Sequence, residues 1–360
     1  MVFIGEFMFG NETINLPNEE NKSFYYDKIK IERLLKEIDE LLNNSLFIKS
    51  DKYNNLLLNP ERLRLSDDTI IKNIDKVYNY IDSTEKDYDN KNRLYNIYLA
   101  NRFISSKTNI NIDTLKDLYR IVSNKIVDNN DDSMGDYYRK KREFILESST
   151  SLLDFIELVK PNNVDYYMDQ LLTYINTNNS DLNDINKFIK SQIISLYFVY
   201  VHPYLDTNGR MSRLLSSWYL INNNDSKYLL FNKVLINNRD DYIKSVKKSI
   251  KTKNITHFLL FIIKGLKEEI NKQSIIYDID NKNNLSIEEI QIIDTLLSVK
   301  DKIKIKDLIL IYNNYKYNPI NDSYVSDRIV NLIDKNIIIE DGEFIYLNYN
   351  NNIVNNKRRL

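Results

Sequence analysis

The chain contains no cysteine, and glycine and proline are scarce in it. With none among 360 residues, disulfide bonds, thiolate metal sites and a cysteine nucleophile are excluded. Only six glycines and five prolines occur, and so few helix-breaking residues over this length favour a mainly α-helical fold. Each glycine is therefore informative, because we expect it where the backbone needs conformational freedom.

Charge of one sign does not predominate either. Lysine and arginine total 50, aspartate and glutamate total 51, and the formal net charge is -1. Nothing in this balance indicates nucleic acid or an acidic membrane surface as a partner. The first residues lack the basic region of a signal peptide, and the apolar run 258–263 is too short to span a bilayer. We therefore expect a cytoplasmic protein without a membrane segment.

Apolar residues recur at helical spacing through most of the chain. This periodicity predicts a helix over 30–43 and a second one after Ser66, within an N-terminal helical region, residues 1–90. Successive helices are predicted over the following core, residues 91–276. One of them, over 184–201, is apolar around most of its circumference, which is typical of the central helix of a bundle.

The pattern changes beyond the polar segment 277–286, which we interpret as a linker. Three short helices are predicted over 287–297, 305–312 and 322–332, followed by a hairpin around Asp341-Gly342. Three helices and a two-stranded wing are the plan of a winged helix, here over residues 285–350.

The third of these helices bears on the partner of the C-terminal region. It carries Arg328 together with Asp322, Asp327 and Asp334, and so lacks the basic stripe of a DNA-reading helix. Protein interaction or formation of a homodimer is therefore favoured over DNA binding.

Polar side chains cluster where the helix over 184–201 ends. The loop reads His202-Pro203-Tyr204-Leu205-Asp206-Thr207-Asn208-Gly209-Arg210, and Arg213 follows one helical turn later. The proline stops one helix, and a new helix is predicted to begin near Arg210. Free N–H groups and the helix dipole attract anions at such a start.

Each residue type in this cluster suits chemistry on phosphate groups. Gly209 would let backbone amides approach phosphate oxygens, and Arg210 and Arg213 offer bidentate donors. Asp206 is a hard oxygen ligand for Mg²⁺. The imidazole of His202 titrates near neutrality and can take the proton of an attacking hydroxyl.

The loop resembles the signature of the Fic family, His-Pro-Phe-x-Asp/Glu-Gly-Asn-Gly-Arg. Tyr204 replaces the phenylalanine conservatively, whereas Thr207 replaces a glycine. If that position needs a positive φ, a β-branched residue is unfavourable there.

Two flanking segments extend the resemblance to about residues 90–270. Residues 134–139, which include Gly135 and Arg139, resemble the turn before the Fic flap, although an ordinary turn is the alternative. Residues 141–146 would then be the flap, which aligns a target segment by strand addition. Residues 238–242 resemble the Arg-x-x-Tyr segment after the core. Its tyrosine, Tyr242, either packs or stacks on adenine. The resemblance implies a Fic-fold helical bundle with a small β-hairpin flap.

The resemblance also implies a role for each loop residue, in an enzyme that transfers AMP from ATP to a Tyr, Thr or Ser hydroxyl of a target protein and releases pyrophosphate. His202 would be the general base, and Asp206 would hold Mg²⁺ on the phosphates. The residues expected to bind the phosphates of ATP are Thr207, Asn208, Gly209, Arg210 and Arg213. The target can also be the protein itself.

Other interpretations stay open. On the same fold they are removal of AMP, transfer of UMP or phosphocholine, and an inactive Fic fold to which Thr207 points. A non-enzymatic regulatory or DNA-binding protein is the alternative of another class. Many Fic proteins carry an inhibitory helix, Ser/Thr-x-x-x-Glu-Gly/Asn. The candidates here, which all depart from that pattern, are residues 45–49, residues 83–87 and Glu61. The second histidine, His257, is given no role.

Overall fold

The computed structural model describes residues 11–20, 22–50, 84–126, 137–141, 144–146, 155–177, 182–298, 302–314 and 321–348. Within these residues helices predominate. They are α1 (Lys28–Asn44), α2 (Thr84–Ser106), α3 (Ile112–Ser123), α4 (Val164–Asn176), α5 (Asp184–Val201), α6 (Asn208–Asn222), α7 (Phe231–Asn237), α8 (Arg239–Thr252), α9 (Thr256–Asn283), α10 (Ile287–Ser298), α11 (Ile305–Asn314) and α12 (Asp322–Asp334). Short 3-10 turns lie at Leu46–Lys49, Pro161–Asn163 and Ser226–Leu230.

The pair formed by α5 and α6 is the centre of the bundle. Every residue of α5 from Phe188 to Val201 is buried, which confirms the central position that its apolar circumference predicted. Helix α6 packs along α5, and the buried Trp218 donates its indole N–H to the carbonyl of Lys107, 2.6 Å away. Helices α1 and α4 pack on α5, while α2 and α3 cover α6.

A strand pair precedes α1, and the sequence did not predict it. Strands β1 (Asn11–Ile14) and β2 (Phe24–Asp27) are antiparallel, in a region predicted to be helical. Tyr25 of β2 also exchanges backbone hydrogen bonds with Lys253 and Ile255. Strands of four residues that depend on such distant partners leave too little local periodicity to be recognised. The helix predicted after Ser66 lies outside the described residues.

The predicted linker over 277–286 is wrong as far as Asn283, because α9 continues to that residue. Its buried face extends through Ile276, Ile279 and Asp280, so the exposed Asn281 and Lys282 belong to a helix surface. The helix ends at Asn284, which is left-handed with φ 46°. The N–H of Leu285 then donates to the side chain of Asp280.

Beyond α9, helices α10, α11 and α12 pack together beside a three-stranded sheet. The predicted hairpin is present as β6 (Ile338–Asp341) and β7 (Phe344–Leu347), which are antiparallel, and Gly342 at its turn has φ 62°. A short strand, β5 (Ile303–Lys304), adds to β7. The unit also contacts the bundle, because Asp294 accepts hydrogen bonds from Lys233 and Gln273. Its identification as a winged helix stays a prediction.

A second small hairpin lies between α3 and α4. Strand β3 (Phe144–Leu146) pairs antiparallel with β4 (Phe155–Glu157), with Ile145 opposite Ile156. The small β-hairpin that was expected is therefore present, although its second strand lies beyond residues 141–146, where the flap was predicted. Across the described part of the chain, no helix combines the length and the apolar content that crossing a membrane requires.

Candidate active site

The candidate site is the turn that joins the two central helices. Helix α5 ends at Val201, and His202 follows in a left-handed conformation, with φ 52° and ψ 59°. Its N–H still donates to the carbonyl of Phe198, at 2.8 Å. Pro203 prevents further helix, and α6 begins at Asn208. The imidazole therefore lies at the C-terminal end of one buried helix, a few residues before the N-terminus of the next.

A buried arginine from outside the loop holds this turn in place. Arg139 is 2% exposed, and its Nε donates to the carbonyl oxygen of His202 at 2.6 Å. Its backbone N–H donates to the carbonyl of Pro203 at 2.8 Å. The guanidinium also donates to the carbonyls of Val159, Val201 and Lys141. The sequence placed Arg139 only in a turn before the flap, and no local pattern links it to a loop 63 residues away.

Tyr204 and Asn208 stabilise the loop on its buried side. Tyr204 is fully buried and stacks on Tyr119, with ring centroids 3.8 Å apart and planes 7° from parallel. The side-chain oxygen of Asn208 accepts the N–H of Tyr204 at 3.0 Å, and its amide nitrogen donates to the Tyr204 carbonyl at 2.6 Å. The Asn208 side chain thus braces the loop backbone, which leaves its main-chain N–H as the group suited to a phosphate.

The left-handed position before α6 is occupied by Thr207. Its φ is 67° and its ψ is 2°, with only 3% of the residue exposed. A β-branched residue in this region carries a cost of about 1–2 kcal/mol. The sequence indicated that this position would suit glycine if its φ were positive. The φ is positive, so the condition is met. Gly209, by contrast, lies within the first turn of α6 and has no positive φ.

The N-terminus of α6 gathers the groups that suit a phosphate. The first bond within the helix runs from the N–H of Met211 to the carbonyl of Thr207, so the N–H of Gly209 precedes the helical ladder. Arg210 and Arg213, on the first and second turns, are only 5% and 3% exposed. Two guanidinium groups and the first N–H groups of a helix lie together at one helix end, and such an arrangement attracts anions strongly.

His202 is neutral and carries its proton on the inner nitrogen. Burial, and next the positive charge of Arg139, lower the pKa of His202 to about 4, although the Val199 carbonyl and Asp206 act in the opposite direction. The Nδ1 atom lies 3.2 Å from the carbonyl oxygen of Val199. Because a carbonyl only accepts, Nδ1 bears the hydrogen and Nε2 has a free lone pair. The side chain is therefore ready to accept a proton at neutral pH.

The donor set fits a magnesium ion that shares its ligands with a substrate. Asp206 is exposed directly before Thr207, whose N–H donates to Oδ1 at 2.5 Å. Within the described ranges, no group of three or more His, Cys, Asp or Glu side chains is arranged to hold a metal by itself. A single hard carboxylate suits Mg²⁺, which usually takes its other ligands from phosphates and water.

The structure also places Tyr242, His257 and the first inhibitory candidate. Tyr242 is buried and packs against Phe258 and Phe261, so a packing role accounts for it. His257 is exposed on α9. Of the inhibitory candidates, Ser45 ends α1 and the next four residues form a 3-10 turn.

Gly135 and Glu61 lie outside the described residues, and so does the start of the 83–87 candidate.

Comparison with known proteins matches the part of the chain that contains this loop. Residues 109–220 match the Fic/DOC family. This stretch is a Fic/DOC family domain. It runs from the segment before α3 to near the end of α6, and it includes His202 and both arginines of α6. Domains of this family generally transfer nucleotide or phosphoryl groups to proteins.

A solved structure shows the same fold. A Fic family protein from Desulfovibrio desulfuricans G20 superposes with a TM-score of 0.51, and the match covers 88% of this chain and 95% of that protein. At 14% identity the likeness concerns the fold alone. It extends well beyond the 109–220 domain, so the surrounding helices belong to the shared architecture.

A curated relative is also similar over most of the chain. Reticulocyte-binding protein homolog 1 of Plasmodium falciparum (isolate 3D7) is 28% identical over 321 residues. The match covers 86% of this chain and only 9% of that protein. The chain thus spans about a tenth of the length of that relative.

Proposed function

We propose that the Fic domain of this chain transfers AMP from ATP to a Tyr, Thr or Ser hydroxyl of a protein and releases pyrophosphate. The observation that carries the proposal is the pairing of a neutral imidazole with an anion-attracting helix start. Nδ1 of His202 faces the carbonyl oxygen of Val199, which assigns the hydrogen to Nδ1 and the lone pair to Nε2, and α6 begins six residues later at Asn208. A base for the acceptor hydroxyl and a cradle for phosphates are thus parts of one turn.

In this mechanism the acceptor hydroxyl oxygen attacks the α-phosphorus of ATP. Nε2 of His202 takes the hydroxyl proton as the new oxygen–phosphorus bond forms. The bond from the α-phosphorus to the bridging oxygen breaks, and pyrophosphate leaves with the electron pair. Arg210 and Arg213 neutralise charge on the leaving group, and the N–H of Gly209 donates to a phosphate oxygen.

Asp206 is the residue that would hold Mg²⁺ beside the phosphates. The ion would neutralise charge that develops on the leaving pyrophosphate. Asp206 remains exposed at the mouth of the loop, as a ligand shared with a substrate must be. Its Oδ1 also accepts the N–H of Thr207, so the carboxylate has a fixed orientation.

Other interpretations on the same fold differ in the group transferred, in the direction of the reaction, or in the absence of activity. The same residues serve transfer of UMP or phosphocholine, and removal of AMP from a modified protein. An inactive Fic fold is favoured by one observation, the strained Thr207 at the phosphate-facing turn.

For the C-terminal unit we propose a winged helix that binds protein or a second copy of the chain. DNA binding is disfavoured, because Asp322, Asp327 and Asp334 lie on α12. Its arginine, Arg328, donates to the hydroxyl of Tyr324 at 2.8 Å and lies over that ring. A mobility shift that weakens steeply as salt rises would contradict this assignment.

Incubation of the full chain with Mg²⁺ and ATP labelled on the α-phosphate tests the function, alone and with a cell extract of protein targets. Label should appear covalently on protein, whereas ATP labelled on the γ-phosphate should leave none. Labelled UTP and labelled CDP-choline are the parallel donors, and a pre-AMPylated protein tests removal. The matched control is His202→Ala, which should bind ATP and transfer nothing. Equal labelling by this variant would contradict the proposal.

A further inference from the structure

The N-terminal segment, residues 15–20, lies across the part of α5 that leads to the catalytic loop. The hydroxyl of Tyr197 donates to the carbonyl of Pro17 at 2.6 Å. The N–H of Glu19 donates to the hydroxyl of Tyr200 at 3.0 Å. Tyr200 stands two residues before His202. The segment is thus attached to the helix that presents the imidazole.

A tight turn fixes the orientation of this segment. Asn18 is 2% exposed, and its side-chain oxygen accepts the N–H groups of Glu20 at 3.0 Å and Lys22 at 3.3 Å. Its amide nitrogen donates to the carbonyl of Lys22. Glu20 forms an ion pair at 2.9 Å with Lys253, which is 5% exposed. Glu19 therefore projects from a turn that is held on both sides.

The Glu19 carboxylate contacts the segment that leaves the flap. Its Oε1 accepts the backbone N–H of Lys160 at 3.1 Å and the side-chain amide of Asn163 at 2.8 Å. Lys160 and Asn163 lie three and six residues after the end of β4, the second flap strand. Hydrogen bonds to a carboxylate are stronger than neutral ones, so this contact is a firm attachment of the flap exit.

Two separate links thus join the flap exit to the C-terminal end of α5. One runs through Arg139, which donates to the carbonyls of Val159 and His202. The other runs through Glu19, between Lys160 and Tyr200. A segment held at one point can pivot, whereas two adjacent points fix its direction.

We propose that Glu19 is a positioning residue for the acceptor substrate, because it fixes the direction of the flap relative to the imidazole of His202. Arg139 cannot have this role alone, since it also holds the catalytic loop itself. The hydrogen bonds of Glu19 run to the flap exit and to Tyr200, so it acts on the acceptor side and leaves the nucleotide side unchanged. The role in catalysis rests on the proposed transfer activity, and the attachment of the flap does not.

The experiment compares Glu19→Ala and Glu19→Gln with the wild-type full chain. The matched control is Glu12→Ala, which removes an equal charge from the same N-terminal region. Glu12 is paired with Lys28 instead of the flap exit. Hydrogen exchange is measured in peptides over 155–163 and over 208–222, and calorimetry gives the affinity for ATP. Label transfer from ATP is measured in parallel.

In Glu19→Ala, exchange over 155–163 should accelerate about tenfold or more, as expected for the loss of a charge-assisted attachment. Exchange over 208–222 and the affinity for ATP should stay within about twofold, whereas label transfer should fall about tenfold. Glu19→Gln retains an accepting oxygen and should recover most of both effects.

Unchanged exchange over 155–163 overturns the attachment, and so does equal acceleration in both regions. Accelerated exchange with normal label transfer overturns the positioning role. If the wild type transfers no label, exchange still decides the attachment, and only the transfer proposal fails.

Discussion

Arg139 donates its Nε–H to the main-chain oxygen of His202 at 2.6 Å, so the position of the His202 imidazole depends on a residue 63 positions earlier in the chain. The same guanidinium bonds to Val159 and Val201. The segment after the flap, helix α5 and the loop therefore all accept hydrogen bonds from one buried guanidinium group. Its charge also contributes to the lowered pKa of His202, which keeps the base unprotonated.

The first prediction concerns Arg139→Met, which fills similar space without donors. The backbone carbonyls that Arg139 serves would lose charge-assisted hydrogen bonds, each worth about 1.5–3 kcal/mol. Because such losses are not additive, we expect the free energy of unfolding to fall by about 3–5 kcal/mol. Urea denaturation followed by circular dichroism measures it. Arg102→Met, at an exposed arginine, is the control and should change stability by less than about 0.5 kcal/mol. If Arg139→Met lowers the free energy of unfolding by an equally small amount, Arg139 does not hold the loop in place.

The second prediction concerns pH. The pKa of His202 is lowered to about 4 from its ordinary 6.5, so the base is unprotonated well below neutrality. The acid limb of kcat/KM, which reports the free enzyme, should lie below pH 5. The unfolded chain binds a proton near 6.5, before the folded chain does. The His202 side chain therefore lowers the free energy of unfolding as the pH falls from 6.5 towards 4. Initial rates across pH 4–8 measure the limb, and a midpoint near 6.5 would refute the assignment.

The sequence predicted the helices of the bundle well, because their buried faces are continuous. Helix α5 was predicted with its observed bounds, and the Asp341-Gly342 hairpin is present. Strands β1 and β2 were missed, since Tyr25 is held by Lys253 and Ile255 on a distant part of the chain. Long-range pairing of this kind leaves no local periodicity.

For the site, the order of residue types was sufficient to find the loop but not the residues that hold it. His202 and Arg210 lie on one turn because they are close in sequence. Arg139 and Glu19 come close to this turn only through the fold. Arg139 lies 63 residues before His202, and Glu19 belongs to the N-terminal segment and bonds to Tyr200. The sequence also assigned backbone freedom to Gly209, whereas the left-handed position is Thr207.

The third prediction is that Thr207→Gly stabilises the protein and leaves transfer equal or faster. Glycine removes the left-handed cost of about 1–2 kcal/mol, offset by about 0.5–1 kcal/mol of added backbone entropy in the unfolded chain. The net gain is about 0.5–1 kcal/mol. Thr207→Ala relieves only the branching at Cβ and serves as the intermediate case. Urea titration and single-turnover transfer rates are the measurements. A large loss of rate would show that the threonine side chain has its own role.

The last prediction separates the phosphate cradle from the metal ligand. Arg210→Ala removes charge-assisted donors on the first turn of α6, each worth about 1.5–3 kcal/mol, so the affinity for ATP should drop roughly tenfold or more. Asp206→Asn should leave that affinity in the absence of metal nearly unchanged, lower the rate and raise the Mg²⁺ concentration needed for half-maximal transfer. Calorimetry with ATP and a Mg²⁺ titration of the rate make the distinction. Lys244→Ala, an exposed cation on α8, is the control for loss of one positive charge. If Arg210→Ala binds ATP as tightly as the wild type, the start of α6 is not the phosphate cradle.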